Sequence, residues 1–343
     1  MVQAYGADTG NGSAEQPETG GSRFRGLRDR LTSDRGIWRR GIVLALCSVL
    51  LTLLMVVHAR IPNRLGNLGS LIETFLPWAA VFIPVLLVLV LALARRSATA
   101  LIALLLPAVV WLNVFGGLLT DKSGSGGDLT VATHNVNAGN PDPDGTAQQV
   151  AGSGADVVAL QELPGKQVST YEKSLAGRYP YHSVQGTVGL WSKYPLADTR
   201  PVDIKMGWTR AMRSTVRTPQ GEVAVYVAHL PSVRVKLHAG FTANQRDDSA
   251  DALGEAIADE PVKRVVLLGD LNGTMNDRSL NAVTSQMRST QGAAGDGFGF
   301  SWPASFPMAR IDQIMVRGVE PKSSWTLSAT DSDHLPIAAR VEL

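Results

Sequence analysis

The segment VVLLGDLN, residues 265–272, runs from an apolar strand pattern straight into an acidic and an amide side chain. Asp270 and Asn272 follow the apolar residues at a spacing of two, so that one carboxylate and one amide could act on the same bound group. Taken alone, Gly-Asp-Leu-Asn is also a plausible surface turn. The interpretation therefore depends on whether other parts of the chain repeat the pattern.

Five further segments repeat it, each with Asn, Glu, Asp or His at or just past the end of a short apolar run. In chain order they are THNVN (133–137), LQE (160–162), VAHL (227–230), RIDQI (310–314) and SDHLP (332–336). Any one of these residues is most often a turn or surface residue. Six such segments in series indicate an active-site rim at the ends of β-strands.

The residue types in these segments suit the hydrolysis of phosphate esters, which needs charge neutralisation at phosphorus, a polarised water and hydrogen-bond donors. A hard divalent cation with oxygen ligands supplies the first. Glu162 closes an apolar strand, and Asn135 and Asn137, two residues apart on a strand, would face the same side and reach one ion. Asp312 is placed to orient His334.

Basic residues near these segments are candidates for binding a phosphate group, because a guanidinium can hold two phosphate oxygens at once. For each of them a solvated surface charge is the alternative interpretation. The candidates are Lys193, Arg210, Arg213, Arg246 and Arg310.

The part of the chain from residue 128 onward alternates short apolar runs with helical patterns. Strands outnumber helices and no strict βαβ repeat is kept, which favours an α/β fold of two packed sheets flanked by helices. Strands are predicted at 129–133, 157–160, 187–191, 214–217, 223–229, 265–268, 310–316 and 337–343, and helices at 145–153, 167–175, 244–257 and 279–285.

The front of the chain differs in kind. Residues 1–40 have almost no aliphatic content and carry seven arginines, which predicts a disordered basic tail. Three uncharged apolar runs follow at about 41–58, 75–94 and 98–119, each close to the ~20 residues that a helix needs to cross a bilayer. These runs predict a three-helix transmembrane anchor.

The distribution of basic residues predicts the orientation of this anchor. The tail and Arg95-Arg96 would share one side, against Arg60 and Arg64 on the other, so the positive-inside rule makes the N-terminus cytoplasmic. Three spans then place residues 129–343 outside the cell, joined to a multi-pass cell-membrane anchor by the Gly/Ser-rich linker 121–128. At ~3.5 Å per residue this linker keeps the exterior domain near the membrane.

Charge argues mildly against nucleic acid as the substrate. Residues 128–343 carry 20 Lys and Arg against 23 Asp and Glu, whereas a nuclease that binds duplex DNA normally presents a basic face. No specific nucleic-acid partner is therefore expected.

The ordered segments resemble the endonuclease/exonuclease/phosphatase superfamily, metal-dependent hydrolases with a four-layered α/β sandwich, over essentially all of 128–343. The run VGLWSKYPL (188–196) is similar to that family's strand ending in Ser-Arg/Lys-Tyr-Pro. The resemblance implies that Glu162 and Asn135 bind metal and that Asp270 positions the attacking water beside Asn272.

The same resemblance implies that Asp312 orients His334, which contacts the phosphate next to Asp333 at the metal site, and that His229 lies on the substrate side. Asn137 stands where many relatives have Asp, which favours a single Mg²⁺ (or Mn²⁺) over two metals.

The three-span anchor with such an exterior domain is similar to the actinobacterial membrane proteins of the teicoplanin-resistance (VanJ-like) group. That resemblance implies a phosphatase of a lipid-linked pyrophosphate, undecaprenyl pyrophosphate, in cell-wall lipid-carrier recycling and glycopeptide resistance. An anchored extracellular nuclease or phosphodiesterase, and a non-catalytic binder of a wall precursor or antibiotic, are the alternatives. An aromatic-rich loop at 298–308 is expected either to pack in the core or to contact lipid.

Overall fold

A computed structural model describes residues 41–63, 68–94, 97–232 and 240–343, with the side chains of 240–244 left out. The predicted basic tail, 1–40, lies outside the described residues. So do Arg64, Arg95 and Arg96, on which part of the orientation argument rests.

Three apolar helical segments in the described chain are long enough to cross a membrane: Ile42–Arg60, Leu68–Leu93 and Ala98–Leu119. The first consists of α1 (Ile42–Val57) and a 3₁₀ turn (His58–Arg60). The second consists of α2 (Leu68–Phe75), a 3₁₀ stretch (Leu76–Val81) and α3 (Phe82–Leu93). The third consists of α4 (Ala98–Phe115) and a 3₁₀ turn (Gly116–Leu119).

The second segment begins at Leu68 rather than at the predicted position 75. The residues gained include Glu73, a charged residue that interrupts the apolar pattern on which the prediction relied. The Glu73 side chain is buried, with Oε1 3.5 Å from His58 Nδ1, and its Oε2 accepts a hydrogen bond from the Arg278 backbone N–H at 3.4 Å. Tertiary partners thus stabilise a helical turn that the sequence pattern disfavours.

Contacts divide the chain into two compact units. In the first, Phe82–Pro107 together with residues up to Leu50, the described part has a small apolar cluster around Leu44, Val90 and Ala100. The second unit comprises Leu51–Val81 and Ala108–Leu343, and it contains α2, the whole sheet domain and every contact described below.

The domain that follows the anchor is a two-sheet α/β sandwich. Its strands are β1 (Leu129–Asn135), β2 (Val157–Gln161), β3 (Tyr181–Gln185), β4 (Val188–Ser192), β5 (Leu196–Pro201), β6 (Ala211–Thr218), β7 (Gly221–His229), β8 (Val265–Asp270), β9 (Arg288–Ser289), β10 (Asp312–Arg317), β11 (Glu320–Thr326) and β12 (Ile337–Glu342). Its helices are α5 (Pro143–Gly152), α6 (Gly165–Ala176), α7 (Gly240–Ala258), α8 (Asn281–Thr284) and α9 (Thr290–Ala294), with a 3₁₀ turn at Arg278–Leu280.

Each sheet has six strands, in the orders β11-β12-β1-β2-β4-β3 and β5-β6-β7-β8-β10-β9. A central apolar layer, with Val131, Val225 and Ile314 among its members, lies between the two sheets. One outer cluster joins Leu175 and Trp191 under α5 and α6, and the other joins α7 to the second sheet. The predicted four-layered fold is confirmed.

Each sheet contains one central parallel pair, β1 with β2 and β7 with β8. The carboxyl ends of β7 and β8 lie side by side, since His229 pairs with Asp270 in register. β10 runs antiparallel to β8, and its first residue, Asp312, also pairs with Asp270. Polar residues at the ends of several strands therefore lie together at one end of the sandwich.

A buried ion pair ties the second sheet to the end of α7. Arg213 donates two hydrogen bonds to the Glu260 carboxylate, at 2.9 and 2.8 Å, and the Tyr226 hydroxyl donates a third at 2.9 Å. Burial alone would raise the pKa of Glu260, but Arg213, the Val262 N–H and Tyr226 together hold it at about 2. The lowered pKa means that ionised Glu260 contributes stability above its usual pKa of 4.5, and this contribution is lost as the pH falls toward 2.

We expect Arg213→Met to lower the free energy of unfolding by about 3–5 kcal/mol at neutral pH, because it leaves a buried carboxylate without its partner. The deficit should shrink as the pH falls and Glu260 becomes protonated. Thermal unfolding of the full chain in detergent would measure it, with the double variant Arg213→Met/Glu260→Gln expected to recover part of the loss. A melting curve like that of the parent protein at neutral pH would contradict this account.

Candidate active site

The centre of the site is the carboxylate of Asp270 at the end of β8, which is 1% exposed. The Asn135 side-chain amide donates to Asp270 Oδ2 at 3.0 Å and to Glu162 Oε1 at 3.1 Å. Asn272 donates to Asp270 twice, through its backbone N–H at 2.9 Å and its side-chain amide at 3.2 Å. Residues from three strand ends thus share one hydrogen-bond network.

Glu162 and Asn272 both lie one or two residues past a strand, with positive φ angles of 60° and 48°. Such backbone is uncommon for residues other than glycine and is best tolerated by Asn. At Glu162 it turns the side chain toward Asn135, and the Ala138 N–H donates to Glu162 Oε2 at 3.1 Å. Hydrogen bonds therefore hold the carboxylate in place where the backbone alone would disfavour it.

His334 faces this network from the other side and is held by Asp312. His334 Nδ1 lies 2.9 Å from Asp312 Oδ2, which also accepts from the Ser301 hydroxyl at 2.6 Å. His334 Nε2 lies 3.9 Å from Asp270 Oδ2. Burial alone would lower the pKa of His334, but the carboxylates of Asp312 and then Asp270 raise it to about 10. The imidazole therefore carries a positive charge at neutral pH.

The pKa of Asp270 is raised, whereas the pKa of a salt-bridged carboxylic acid is lowered. Burial, and after it the negative charge of Asp312, raise the pKa of Asp270 to about 7 in spite of the nearby His334. A carboxylate with such a pKa can accept a proton near neutral pH.

His229 and Arg210 complete the polar side. His229 Nε2 lies 3.6 Å from both Glu162 Oε1 and Asp270 Oδ2. Burial, and then the charge of Arg210, lower the pKa of His229 well below its usual value, so its ring is neutral. Arg210 lines the same cavity as Glu162 and His229.

Asn137 and Asp333 meet at the rim, where Asn137 Nδ2 donates to Asp333 Oδ1 at 3.1 Å. β1 ends at Asn135, and Asn137 lies beyond it with φ 61°. The expectation that the two asparagines share a strand face is therefore wrong, because the strand ends before the second of them. Asn137 approaches the site through Asp333 instead.

These residues line a cavity of about 510 Å³. Its polar lining includes Glu162, Arg210, His229, Asp270 and His334, and α2 contributes a further wall of Leu71, Thr74 and Phe75. A neighbouring hollow of about 250 Å³ shares Glu162, Arg210 and His229 and has Trp208 on its far side.

Two overlapping groups of ligands could hold a metal ion. Asp270, Asp312 and His334 offer three ligand atoms within 4.8 Å of one another. In that group Asp312 Oδ2 and His334 Nδ1 already bond to each other, whereas Asp312 Oδ1 is buried and without a hydrogen-bond partner among the described residues. The second group is the pair of carboxylates of Glu162 and Asp270, which the Asn135 side-chain NH₂ group joins and whose oxygens are the ligands that Mg²⁺ prefers. The donor set therefore fits a hard divalent cation.

Four of the predicted phosphate-binding residues do not line the cavity, and each of them has a different protein group as its partner. Arg213 is paired with Glu260, and Lys193 with Asp156 at 3.0 Å on the surface. Arg310 is buried behind Asp312 and donates to the Gly299 carbonyl at 2.7 Å. Arg246, a weaker candidate, is buried against Asp277. These placements correct the expectation, and Arg210 is the one candidate that lines the cavity.

Sequence reasoning also missed several residues of the site. Ser301 and Ser332 position other residues of the site. The Ser301 hydroxyl donates to the Asp312 carboxylate, and the Ser332 hydroxyl accepts from the His334 N–H at 3.1 Å. Ser332 stood inside a quoted segment, whereas Ser301 has no sequence signal beyond its place in the aromatic loop. Leu71 and Phe75 look like any other residue of a membrane helix.

The aromatic loop packs partly against the membrane segments and partly remains exposed. Phe300 stacks on Trp78 with ring centres 5.9 Å apart, and the Trp78 indole N–H donates to the Met308 carbonyl at 2.8 Å. Trp302 lines the active-site cavity, while Phe306 is 64% exposed. The loop therefore contacts the stretch that follows α2.

Solved structures with this fold come from varied sources. The domain superposes on beta toxin from Staphylococcus aureus (15% identity, TM-score 0.53), covering 62% of this chain and 99% of that one. It also matches a mannosyl-6-phosphatase from Bacteroides thetaiotaomicron (18%, TM-score 0.52, 63% and 100%) and truncated TDP2 from Caenorhabditis elegans (21%, TM-score 0.51, 63% and 97%). At these identities the likeness shows the fold alone.

A search of curated protein sequences gives no significant match. The family model described as "Endonuclease/Exonuclease/phosphatase family" matches residues 132–334, which is more than half of the chain. The match includes all six polar segments quoted above except Leu335 and Pro336, the last two residues of the final segment. On this match, the chain belongs to the endonuclease/exonuclease/phosphatase family, whose members are typically hydrolases of phosphoester bonds.

Proposed function

We propose that this protein is a membrane-anchored, metal-dependent phosphoesterase with its active site outside the cell, and that it acts as a phosphatase on a lipid-linked pyrophosphate. Undecaprenyl pyrophosphate is the proposed substrate, which would connect the protein with lipid-carrier recycling in cell-wall synthesis and with resistance to glycopeptides such as teicoplanin. The cytoplasmic N-terminus and three-span topology are part of the same proposal.

One observation carries the choice of a lipid substrate. The cavity that contains Asp270 and Glu162 is also lined by Leu71 and Phe75, residues of a segment long and apolar enough to cross a membrane. A phosphate group and an apolar chain on one molecule would match these two walls. A nuclease would have no use for the apolar one.

In this proposal Glu162 and Asn135, with Asp333 and Asn137 at the rim, would hold a divalent cation, Mg²⁺ or Mn²⁺. When bound, the cation supplies neutralisation of phosphate charge. Asp270 orients a water molecule for in-line attack on the terminal phosphorus and accepts its proton, while the bond from that phosphorus to the bridging oxygen breaks and the lipid monophosphate leaves. Asn272 fixes the Asp270 carboxylate. Each of these residues is already within the hydrogen-bond network described above.

The charge that develops on the phosphate oxygens needs donors on the opposite side. His334, kept protonated by Asp312, supplies one, and Arg210 supplies a guanidinium that can hold two oxygens. His229 is neutral and buried, so it can donate a hydrogen bond without adding a charge. The resulting arrangement has a base on one face of the phosphate and donors on the other.

A contact at the end of the first membrane segment supports the proposed topology. The Arg278 guanidinium donates to the Ala59 carbonyl at 2.5 Å, so the end of the segment Ile42–Arg60 contacts the sheet domain. With three spans, the end of the first span and the domain lie on the same side of the membrane.

We expect full-length protein in detergent to release phosphate from undecaprenyl pyrophosphate with Mg²⁺ or Mn²⁺, and to stop when the metal is chelated. Asp270→Ala and Glu162→Ala should each lower the rate at least about 100-fold, the scale of losing a general base or a metal ligand. Glu222→Ala removes an exposed carboxylate at the far end of β7 and should have no effect.

A plasmid-nicking assay on the same preparations tests the alternative. Nicking that depends on Asp270, without phosphate release from the lipid, would move the function to a nuclease. Neither activity in the presence of either metal would leave a non-catalytic binder, and it would sink the proposal.

Arg210→Ala should lower kcat/KM about 10–100-fold, because it removes a charged hydrogen-bond donor to the substrate phosphate. The matched control is Lys193→Ala, which removes a surface cation paired with Asp156 and should change nothing. Steady-state kinetics on the two variants would measure the difference. Equal effects of the two substitutions would mean that general charge attraction, and not a contact at the cavity, accounts for the loss.

A further inference from the structure

The wall of the cavity that α2 provides is not part of the family domain. The family match begins at residue 132, whereas Leu71, Thr74 and Phe75 lie in the second membrane segment. Their spacing of three and four residues places them on one face of the helix. That face is directed at the same space as Asp270 and His334.

Hydrogen bonds on the neighbouring face hold α2 against the catalytic loops. Arg246, 1% exposed, donates to the Ser70 hydroxyl at 2.8 Å and to the Asn272 carbonyl at 3.0 Å. The Thr274 hydroxyl donates to the Glu73 carbonyl at 3.3 Å. One buried guanidinium therefore joins α2 to the segment that contains Asp270 and Asn272, which fixes the distance between the two walls of the cavity.

Close packing before Ser70 leaves α2 little freedom to move. A Cβ atom added to Gly69 would lie 2.5 Å from the Ile61 carbonyl oxygen and 2.6 Å from Asn63 Oδ1. Asn63 in turn accepts from the Ser70 N–H at 2.9 Å. The apolar wall is therefore a built part of the structure and not a loosely placed helix end.

Thr74 also lines a second cavity, of about 170 Å³, which shares no other lining residue with the first. Pro77, Phe115 and Phe300 contribute apolar surface there. Pro77 and Phe115 belong to the second and third membrane segments. An apolar chain that passes Thr74 would thus leave the active site toward the helices of the anchor.

The length of the second segment allows this region to lie at the membrane surface. Leu68–Leu93 has 26 residues, more than the ~20 that span the hydrocarbon core. The first turns, which contact the sheet domain, can therefore lie at the level of the lipid headgroups. A phosphate headgroup in the bilayer would reach the catalytic residues without leaving the membrane.

We infer that Leu71, Thr74 and Phe75 form the binding site for the apolar chain of the substrate and give the enzyme its preference for long-chain phosphate esters. The chain would run along α2 and past Thr74, while its phosphate lies between Asp270 and Arg210. This inference rests on the proposed function and adds to it the residues that select the substrate.

The test compares two substrates with the same reacting group, undecaprenyl pyrophosphate and the short dimethylallyl pyrophosphate, on full-length protein in detergent. Leu71→Ala and Phe75→Ala should lower kcat/KM for the long substrate at least about tenfold more than for the short one, since each removes apolar contact with the chain. Thr74→Phe should do the same by filling space at the one residue that lines both cavities.

Leu68→Ala and Leu68→Phe are the matched controls, because Leu68 lies on the same helix, is 43% exposed and does not line either cavity. They should leave the ratio of the two kcat/KM values unchanged. Leu71→Met keeps the apolar volume and should restore most of the ratio, which a merely misfolded helix would not do. Thermal unfolding would identify variants that fail to fold.

The outcomes separate this inference from the proposed function. If the parent protein cleaves both substrates and the ratio is the same in Leu71→Ala, Phe75→Ala and Leu68→Ala, the wall does not select the chain and the inference alone fails. If it releases phosphate from neither substrate, both fail.

Discussion

The burial of the Asp270 carboxylate is the constraint on which the site depends. A buried carboxylate without hydrogen bonds costs several kcal/mol, and Asp270 has no salt bridge to a Lys or Arg among the described residues to offset that cost. Its partners are instead amides and imidazoles: Asn135 from β1, Asn272 from its own loop, and His229 and His334 at 3.6 and 3.9 Å. These residues come from both sheets, so the hydrogen bonds to Asp270 form only when the strand ends of the two sheets are aligned with each other.

The same burial explains why the titration of the site departs from ordinary values. Asp270 has a raised pKa because burial and Asp312 both oppose its charge, while Asp312 has a lowered pKa because His334 and Ser301 overcome its own burial. Two carboxylates near one imidazole thus separate into a proton acceptor and a permanent anion. This division of roles follows from which carboxylate bonds directly to the histidine.

Arg246 extends the constraint to the anchor. Its guanidinium bonds with the side chains of Ser70 and Asp277 and with the Asn272 carbonyl, so α2 and the Asp270 loop cannot shift independently without breaking a buried hydrogen bond. In the described chain the membrane segment is therefore joined to the loop that contains Asp270 and Asn272 by a buried polar contact as well as by the linker. The linker limits only the distance between the domain and the third membrane segment, whereas Arg246 holds the domain in a fixed position relative to α2.

Most of the fold could be predicted from the sequence, and the missed strands have one physical origin. All eight predicted strands exist, and the four that were missed, β3, β5, β9 and β11, are the edge strands of the two sheets. β3 and β5 are mostly exposed or half-buried, so their residues lack the continuous apolar pattern by which a central strand is recognised. Edge position is a property of the assembled sheet and has no local signature.

The site divides in the same way. The motif residues Asn135, Glu162, Asp270 and His334 could be identified because chemistry restricts their residue type, and the structure brings them together. The sequence could not distinguish the roles of Arg210 and Arg213, because the two arginines are only three positions apart. In the structure Arg213 bonds to Glu260, whereas Arg210 lines the cavity. The partner of a charge depends on packing that a single sequence does not contain.

The sequence could not predict that residues of α2 line the cavity, and the reason is a different one. Leu71 and Phe75 have the residue types that a bilayer also selects, so facing lipid and facing a substrate chain leave the same pattern. The informative residues were the polar ones beside them, Ser70 and Glu73, which are costly in a membrane helix unless they meet partners. Both are fully buried against the sheet domain. A buried polar residue near the end of a membrane segment therefore indicates which face of that helix packs against the adjoining domain.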